Sequence, residues 1–172
     1  MERRTIHHFE DEPESMEWLL GAIFNQLMFD RPEWFAPIED LKTNTDSGTE
    51  YFTATVLGRS IEVHYRSYAT REEFESRFAS IEGDIVLLDL MAEHHTEGLR
   101  PDGLGLYKQA CDAVGKERVL IITAYPAQIR SALTSGEDLS GCVITKPPDA
   151  SLLCQTLIGK LALDTIIQAQ HG

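Results

Sequence analysis

The chain has 172 residues, 42% of them apolar, and a formal net charge of −13. That length suits one domain with a sizeable core, and the charge excludes a phosphate-neutralising nucleic-acid surface and attraction to an anionic membrane. No apolar run approaches the roughly 20 residues needed to span a bilayer, and Met1-Glu2-Arg3-Arg4 opens no signal segment. Three cysteines in unrelated contexts, Cys111, Cys142 and Cys154, make no disulfide framework. They read as small buried apolar residues of a reduced, cytoplasmic protein.

In chain order, Arg4 to Phe9 is a short strand on which His7 and His8 alternate, one inward and one outward. It ends in Glu10-Asp11-Glu12-Pro13, and a helix over about 14–28 follows, with Met16, Leu19, Leu20, Ile23, Phe24 and Leu27 on one face. The stretch 30–60 holds Pro32, Trp34, Phe35 and Pro37, then a turn-rich run. Tyr51–Leu57 and Ile61–Tyr65 are β-branched and aromatic, which predicts a hairpin turning at Gly58-Arg59. Thr70-Arg71-Glu72-Glu73 has capping-box spacing and opens a helix with Phe74, Phe78 and Ile81 inward.

Asp84 to Met91 carries four consecutive apolar residues ending at Asp89, the pattern of a strand buried on both faces. A polar loop, 92–101, follows. Leu104, Leu106, Tyr107, Ala110 and Val114 predict a helix stopped by Gly115. Arg118–Thr123 is another buried strand, Pro126–Thr134 a short helix, and Cys142–Lys146 a last strand. Asp149 caps a final helix carrying Leu152, Leu153, Leu157, Leu161 and Ile166. Strands alternating with helices predict a doubly wound parallel α/β sheet.

Chemistry gathers at the strand ends: Glu10-Asp11, Asp89, Thr123 and Lys146. In an open parallel sheet, ligands bind outside the carboxyl ends of the strands. Three carboxylates and water suit Mg²⁺, a hard cation. A metal-neutralised Asp can act as a nucleophile toward a phosphoryl group, and Lys and Thr can stabilise its oxygens.

In these segments, Phe9-Glu10-Asp11-Glu12-Pro13, Leu87-Leu88-Asp89-Leu90-Met91, Pro101-Asp102-Gly103, Ile122-Thr123-Ala124 and Thr145-Lys146-Pro147, the chain resembles the receiver domain of two-component response regulators. The likeness covers about 4–29 and 60–165. It implies a flavodoxin-like (βα)5 fold of strand order 2-1-3-4-5 over a single domain, 1–172, with Asp89 as phosphoacceptor from a phosphohistidine donor. It further implies Mg²⁺ held by Asp11, Asp89 and the Met91 carbonyl, with Glu10 acting through a metal-bound water. Thr123 would bind the phosphoryl group, and Lys146 would pair with Asp89 before transfer and with a phosphoryl oxygen after it.

The chain departs from the family in the insertion at 30–60 and in the lengthened loop at 92–101. Glu93 stands where the family has a proline, and Val143 where many members carry a switch aromatic. His94 and His95 read as solvated loop residues. The insertion is expected to add an antiparallel strand beside the second strand, an edge in this topology. Met91 and Tyr125, each two residues beyond a site residue, are expected to restrict water at the phosphoryl site.

The sequence thus reads as a stand-alone receiver rather than an enzyme. Its partners are a sensor histidine kinase or histidine phosphotransfer protein and a downstream protein target, with neither nucleic acid nor membrane. The outer side of the last helix could serve a homodimer. The alternative is a pseudo-receiver scaffold that binds a partner without phosphorylation. A phosphohydrolase using Asp89 fits less well, because Met91 stands where a second acid is expected.

Overall fold

The computed structural model describes residues 2–10, 14, 21, 35–37, 42–44, 49–56, 59–77, 80, 84–89, 103–127, 129, 143–146 and 148–163. Its centre is a parallel sheet of five strands: β1 (Glu2–Phe9), β5 (Arg59–Tyr68), β6 (Ile85–Asp89), β7 (Val119–Thr123) and β8 (Val143–Thr145). They lie in the order β5-β1-β6-β7-β8 with every neighbouring pair parallel. This is the 2-1-3-4-5 order of a flavodoxin-like α/β fold.

Every residue of β6 and of β7 is buried, as unbroken apolar runs require when helices cover both faces. One face of the sheet (Ile6, Tyr65, Ile85, Leu87, Leu120, Ile122, Ile144) packs against Leu153, Leu157, Ile158 and Leu161 of the last helix, α3 (Ala150–Leu161). The other (Phe9, Tyr68, Val86, Leu88, Val119, Ile121) packs against Phe74 of α1 (Arg71–Glu75) and against Leu106, Tyr107, Ala110 and Val114 of α2 (Gly103–Val114). Each large aliphatic side chain fully buried here is worth about 1.5–3 kcal/mol.

Helix ends follow local chemistry. Thr70 Oγ1 accepts a hydrogen bond from the Glu73 N–H, as the capping spacing requires. The Asp149 side chain accepts from the Leu152 N–H at 2.9 Å. Gly115, at φ +86°, ends α2, with its N–H donating to the Cys111 carbonyl. A 3-10 turn, Lys116–Arg118, takes Arg118 out of the strand predicted to begin there.

Among the described residues, the insertion adds three strands rather than one. β4 (Thr49–Val56) pairs antiparallel with β5, and β2 (Phe35–Pro37) and β3 (Lys42–Asn44) pair with the far edge of β4. Tyr51 opposes His64 and Val56 opposes Arg59, so the expected hairpin is present with only Leu57 and Gly58 between its paired ends. Three backbone ladders thus extend the sheet beyond the β5 edge.

Three further features differ from what the sequence pattern suggests. His7 and His8 do point to opposite faces, yet both are buried, because β1 is central and both faces are covered. Leu152 is 55% exposed, since Leu153, Cys154, Leu157, Ile158 and Leu161 form the inward stripe and Leu152 precedes it by about 100° of helical turn. The helix after Thr70 ends at Glu75, and the Arg77 N–H bonds the Phe74 carbonyl three residues back, a tighter closure than an α-turn.

Within the predicted first helix, Glu14 and Gly21 are helical. The Ile129 N–H donates to the Tyr125 carbonyl, as expected where a short helix starts. Phe78, Ile81, Trp34, Cys142, Ile166 and the loop 92–101 lie outside the described residues. Among those described, no helix is long and apolar enough to cross a membrane.

Replacing Asp149 by Ala should cost about 1 kcal/mol by leaving the Leu152 N–H uncapped. Urea unfolding of the two chains measures it, with Asp149→Asn retaining most of the lost stability.

Candidate functional site

The parallel register brings the strand ends level. Phe9 pairs with both Tyr68 and Leu88, Asp89 with Ile122, and Thr123 with Thr145. Glu10 follows directly on β1, Asp89 ends β6, Thr123 ends β7 and Lys146 follows β8. All four therefore sit on one edge of the sheet. Glu10, Asp89 and Thr123 are buried, and Lys146 is partly so.

Lys146 joins two of them. Its Nζ donates to Asp89 Oδ2 at 2.7 Å and to Glu10 Oε2 at 2.5 Å. The Asp89 contact is the one the resemblance implies. The Glu10 contact is a surplus, since the resemblance assigns Glu10 to a metal-bound water. Backbone bonds hold the same groups: the Lys146 N–H donates to the Thr123 carbonyl at 2.8 Å, and the Glu10 N–H to the Tyr68 carbonyl at 3.1 Å. Thr123 Oγ1 accepts from the Tyr125 N–H at 3.0 Å. Thr123 makes no hydrogen bond to Asp89 among the described residues.

The electrostatics follow from burial. Burial pushes the Glu10 carboxyl up to about 7; the Lys146 ammonium pulls it down, and the charge and hydrogen bonding of Asp89 raise it again. Burial alone would lower Lys146, but hydrogen bonds and charge from Asp89 and Glu10 outweigh it and hold the ammonium above its ordinary value. The site thus holds two carboxyl groups in competition for one cation.

Just below Glu10 on the same face of β1 lies His8. Its Nδ1 hydrogen-bonds the Tyr65 hydroxyl, while its buried Nε2 has no partner among the described residues. Burial, then the Lys146 charge, push His8 down to about 3, with Asp89 partly opposing. This imidazole is neutral. On the opposite face, His7 Nδ1 meets the Tyr68 hydroxyl at 2.8 Å and its Nε2 meets Asp84 Oδ2 at 3.0 Å. Asp84 Oδ1 also accepts from the Thr5 N–H. Adjacent histidines on a strand with Tyr65 and Tyr68 on its neighbour were the sequence signal for these pairs, but only the β1–β5 register reveals them.

Two buried carboxylates sharing one ammonium leave an excess of negative charge carried by hard oxygen donors. That donor chemistry fits a divalent cation such as Mg²⁺. Among the described residues, Asp89 would hold it directly and Glu10 through a bound water. Asp11 and the Met91 carbonyl lie outside the described residues, and among those described no three His, Cys, Asp or Glu side chains cluster as a metal site.

No protein-family model matches the chain, and no curated protein matches it. Among solved structures, a futalosine hydrolase mutant of Helicobacter pylori strain 26695 is similar at 10% identity and a TM-score of 0.27, over 96% of this chain and 99% of that one. That neighbour is an enzyme, which runs against the expectation of a non-enzyme, and the expectation is withdrawn. A likeness of this size carries no argument for hydrolase chemistry, and the fold rests on the strand order.

Glu10 and His8 give opposite pH dependences. Between about pH 4.5 and 7 the folded chain keeps a proton on Glu10 that the unfolded chain releases, so stability falls as pH rises through that window. From about pH 6.5 down to 3 the unfolded chain protonates His8 and the folded chain does not, so stability falls as pH drops. In melts without metal, Glu10→Gln should raise Tm by about 4 °C or more at pH 8 and by little at pH 4.5. His8→Leu should flatten the acid-side decline. Melting curves shifted equally at every pH would contradict both.

Proposed function

We propose that this chain is a receiver in a phosphorelay. Asp89 accepts a phosphoryl group from a phosphohistidine on a sensor histidine kinase or histidine phosphotransfer protein, with Mg²⁺ as cofactor. The phosphorylated chain then signals by contact with a downstream protein, in the cytoplasm. The observation that carries this reading is the Lys146 ammonium bound to buried Asp89 and Glu10 at the carboxyl edge of a 2-1-3-4-5 sheet.

In the transfer, an Asp89 carboxylate oxygen forms the new O–P bond as the P–N bond to the donor imidazole breaks, and the bonding pair stays with the imidazole nitrogen. Lys146 pairs with one phosphoryl oxygen. Thr123 Oγ1 already accepts from the Tyr125 N–H, so its own hydrogen is available to donate to another. When bound, Mg²⁺ neutralises the carboxylates and the phosphoryl oxygens. Asp11 and the Met91 carbonyl would complete its ligands in this reading, with Glu10 acting through a metal-bound water.

The transfer adds about −1.5 to −2 charges at a site that already holds two carboxyl groups. The response follows from re-pairing of Lys146 and Thr123, both of which are joined to the β7–β8 edge. The output face in this reading includes β8 and α3, whose first turn exposes Leu152.

Incubation with acetyl phosphate and Mg²⁺ should label the wild type and leave Asp89→Asn unlabelled. Persistent labelling of that variant would sink the mechanism. Tyr125 is half-buried beside Thr123 and is expected to limit water. Tyr125→Glu should speed loss of the phosphoryl group severalfold, and an unchanged rate would remove Tyr125 from that role.

A further inference from the structure

Two residues below Glu10 on β1, His8 carries a nitrogen that the described residues leave unpaired. Its side chain is wholly buried, at 0% exposure, and Nε2 has no partner among those residues. Nδ1 is committed to the Tyr65 hydroxyl. Tyr65 stands level with Ile6, so it holds the ring from the side away from the site. The two nitrogens lie on different flanks of an imidazole, and Nε2 is on the flank turned from Tyr65. The charges of Lys146 and Asp89 both act on the ring, which places it within reach of the site. A buried nitrogen without a partner is costly and calls for one.

Glu10 is the group that can supply it. Alternate residues of a strand share a face and stand about 6.4–6.8 Å apart along it. A histidine and a glutamate side chain at that spacing can meet. The ring is pinned by Tyr65, whereas the Glu10 side chain turns about several bonds, so the carboxyl makes the approach. A carboxylate offers about four lone-pair sites, so a bond from below leaves its Lys146 contact in place. The need arises when Glu10 is ionised to serve the cation through a bound water. Its side chain is then 1% exposed and must find its donors inside the protein.

We propose that His8 is a positioning residue for Glu10: with the Tyr65 hydroxyl donating to Nδ1, the Nε2–H donates to the Glu10 carboxylate when the divalent cation is bound, and holds that carboxylate at the height where it meets the ion's water. This inference rests on the receiver reading of Glu10 and Asp89. It adds a Tyr65–His8–Glu10 line, and it makes a strand residue that touches neither cation nor phosphoryl group a determinant of metal affinity.

The test is calorimetric titration of the full chain with MgCl₂ for the wild type, His8→Leu and His8→Gln. A ¹⁵N-histidine-labelled wild type is followed by NMR in a parallel titration, with the His8 signals assigned by their loss in His8→Gln. His8→Leu should bind Mg²⁺ about tenfold more weakly, a usual effect of removing the partner behind a metal-bound group. His8→Gln keeps an N–H donor of similar reach and should recover most of that affinity. In the wild type, Nε2 should carry the ring hydrogen throughout, and its resonance should shift with a midpoint equal to the calorimetric Kd.

Unchanged Mg²⁺ affinity in a folded His8→Leu overturns the proposal. So does equal weakening in His8→Leu and His8→Gln, the mark of lost packing alone, and so does an Nε2 resonance unmoved at saturating Mg²⁺. Should His8→Leu not fold, the wild-type resonance decides. If the wild type binds Mg²⁺ and is labelled on Asp89 by acetyl phosphate while the His8 results fail, the receiver reading survives alone. If the wild type binds no Mg²⁺, both fall.

Discussion

One ammonium between two buried carboxyl groups is the contact on which the carboxyl edge of the sheet depends. Taking a charge out of water costs several kcal/mol, and a buried carboxylate persists only when paired and hydrogen-bonded. Glu10 and Asp89 both bond Lys146 Nζ, and they are delivered by the ends of two adjacent strands. Because one cation cannot fully compensate two acids, Glu10 is pushed up to about 7, by burial first and by Asp89 thereafter. The edge is therefore a place of unfinished charge balance. Such a balance suits a further cation or a shared proton.

The sheet makes such a place from ordinary packing. β6 is buried along its whole length, so its first polar residue falls at the end of the apolar run, where the strand leaves the core. The same holds for Thr123 on β7. The parallel register then sets these ends side by side, because neighbouring strands that run in the same direction also finish on the same edge.

Sequence alone reached far into this arrangement. The apolar runs of β6 and β7, the Asp149 cap and the Gly115 stop are local signals, and the structure follows them. Asp89 and Lys146 were legible because each ends or follows a strand, and the structure brings them together. The Lys146–Glu10 contact was not legible, since it depends on the reach of two long side chains across the ends of β6 and β7. The burial of both histidines escaped for another reason: period-2 alternation says which face a residue takes, not whether that face is covered. The exposure of Leu152 was not legible because leucine content does not fix the phase of a helix. The small strands β2 and β3 escaped because three-residue ladders carry almost no pattern.

The histidines show how the site's height is fixed. β1 is a central strand with two imidazoles in the core, an arrangement that costs stability unless their nitrogens are paired. Tyr65 and Tyr68 on β5 and Asp84 just before β6 provide three of the four pairings, and His8 Nε2 has none among the described residues. Apolar neighbours would tolerate a shift of β1 by two residues, since that keeps the same faces buried. The His–Tyr and His–Asp bonds do not, because a shift breaks all of them at once. Polar residues in the core thus lock β1 against both neighbours. Glu10 follows directly on this strand, so the lock also fixes its height relative to Asp89. The reach of Lys146 to both acids is, in that sense, set by hydrogen bonds lying below the site on both faces of the sheet.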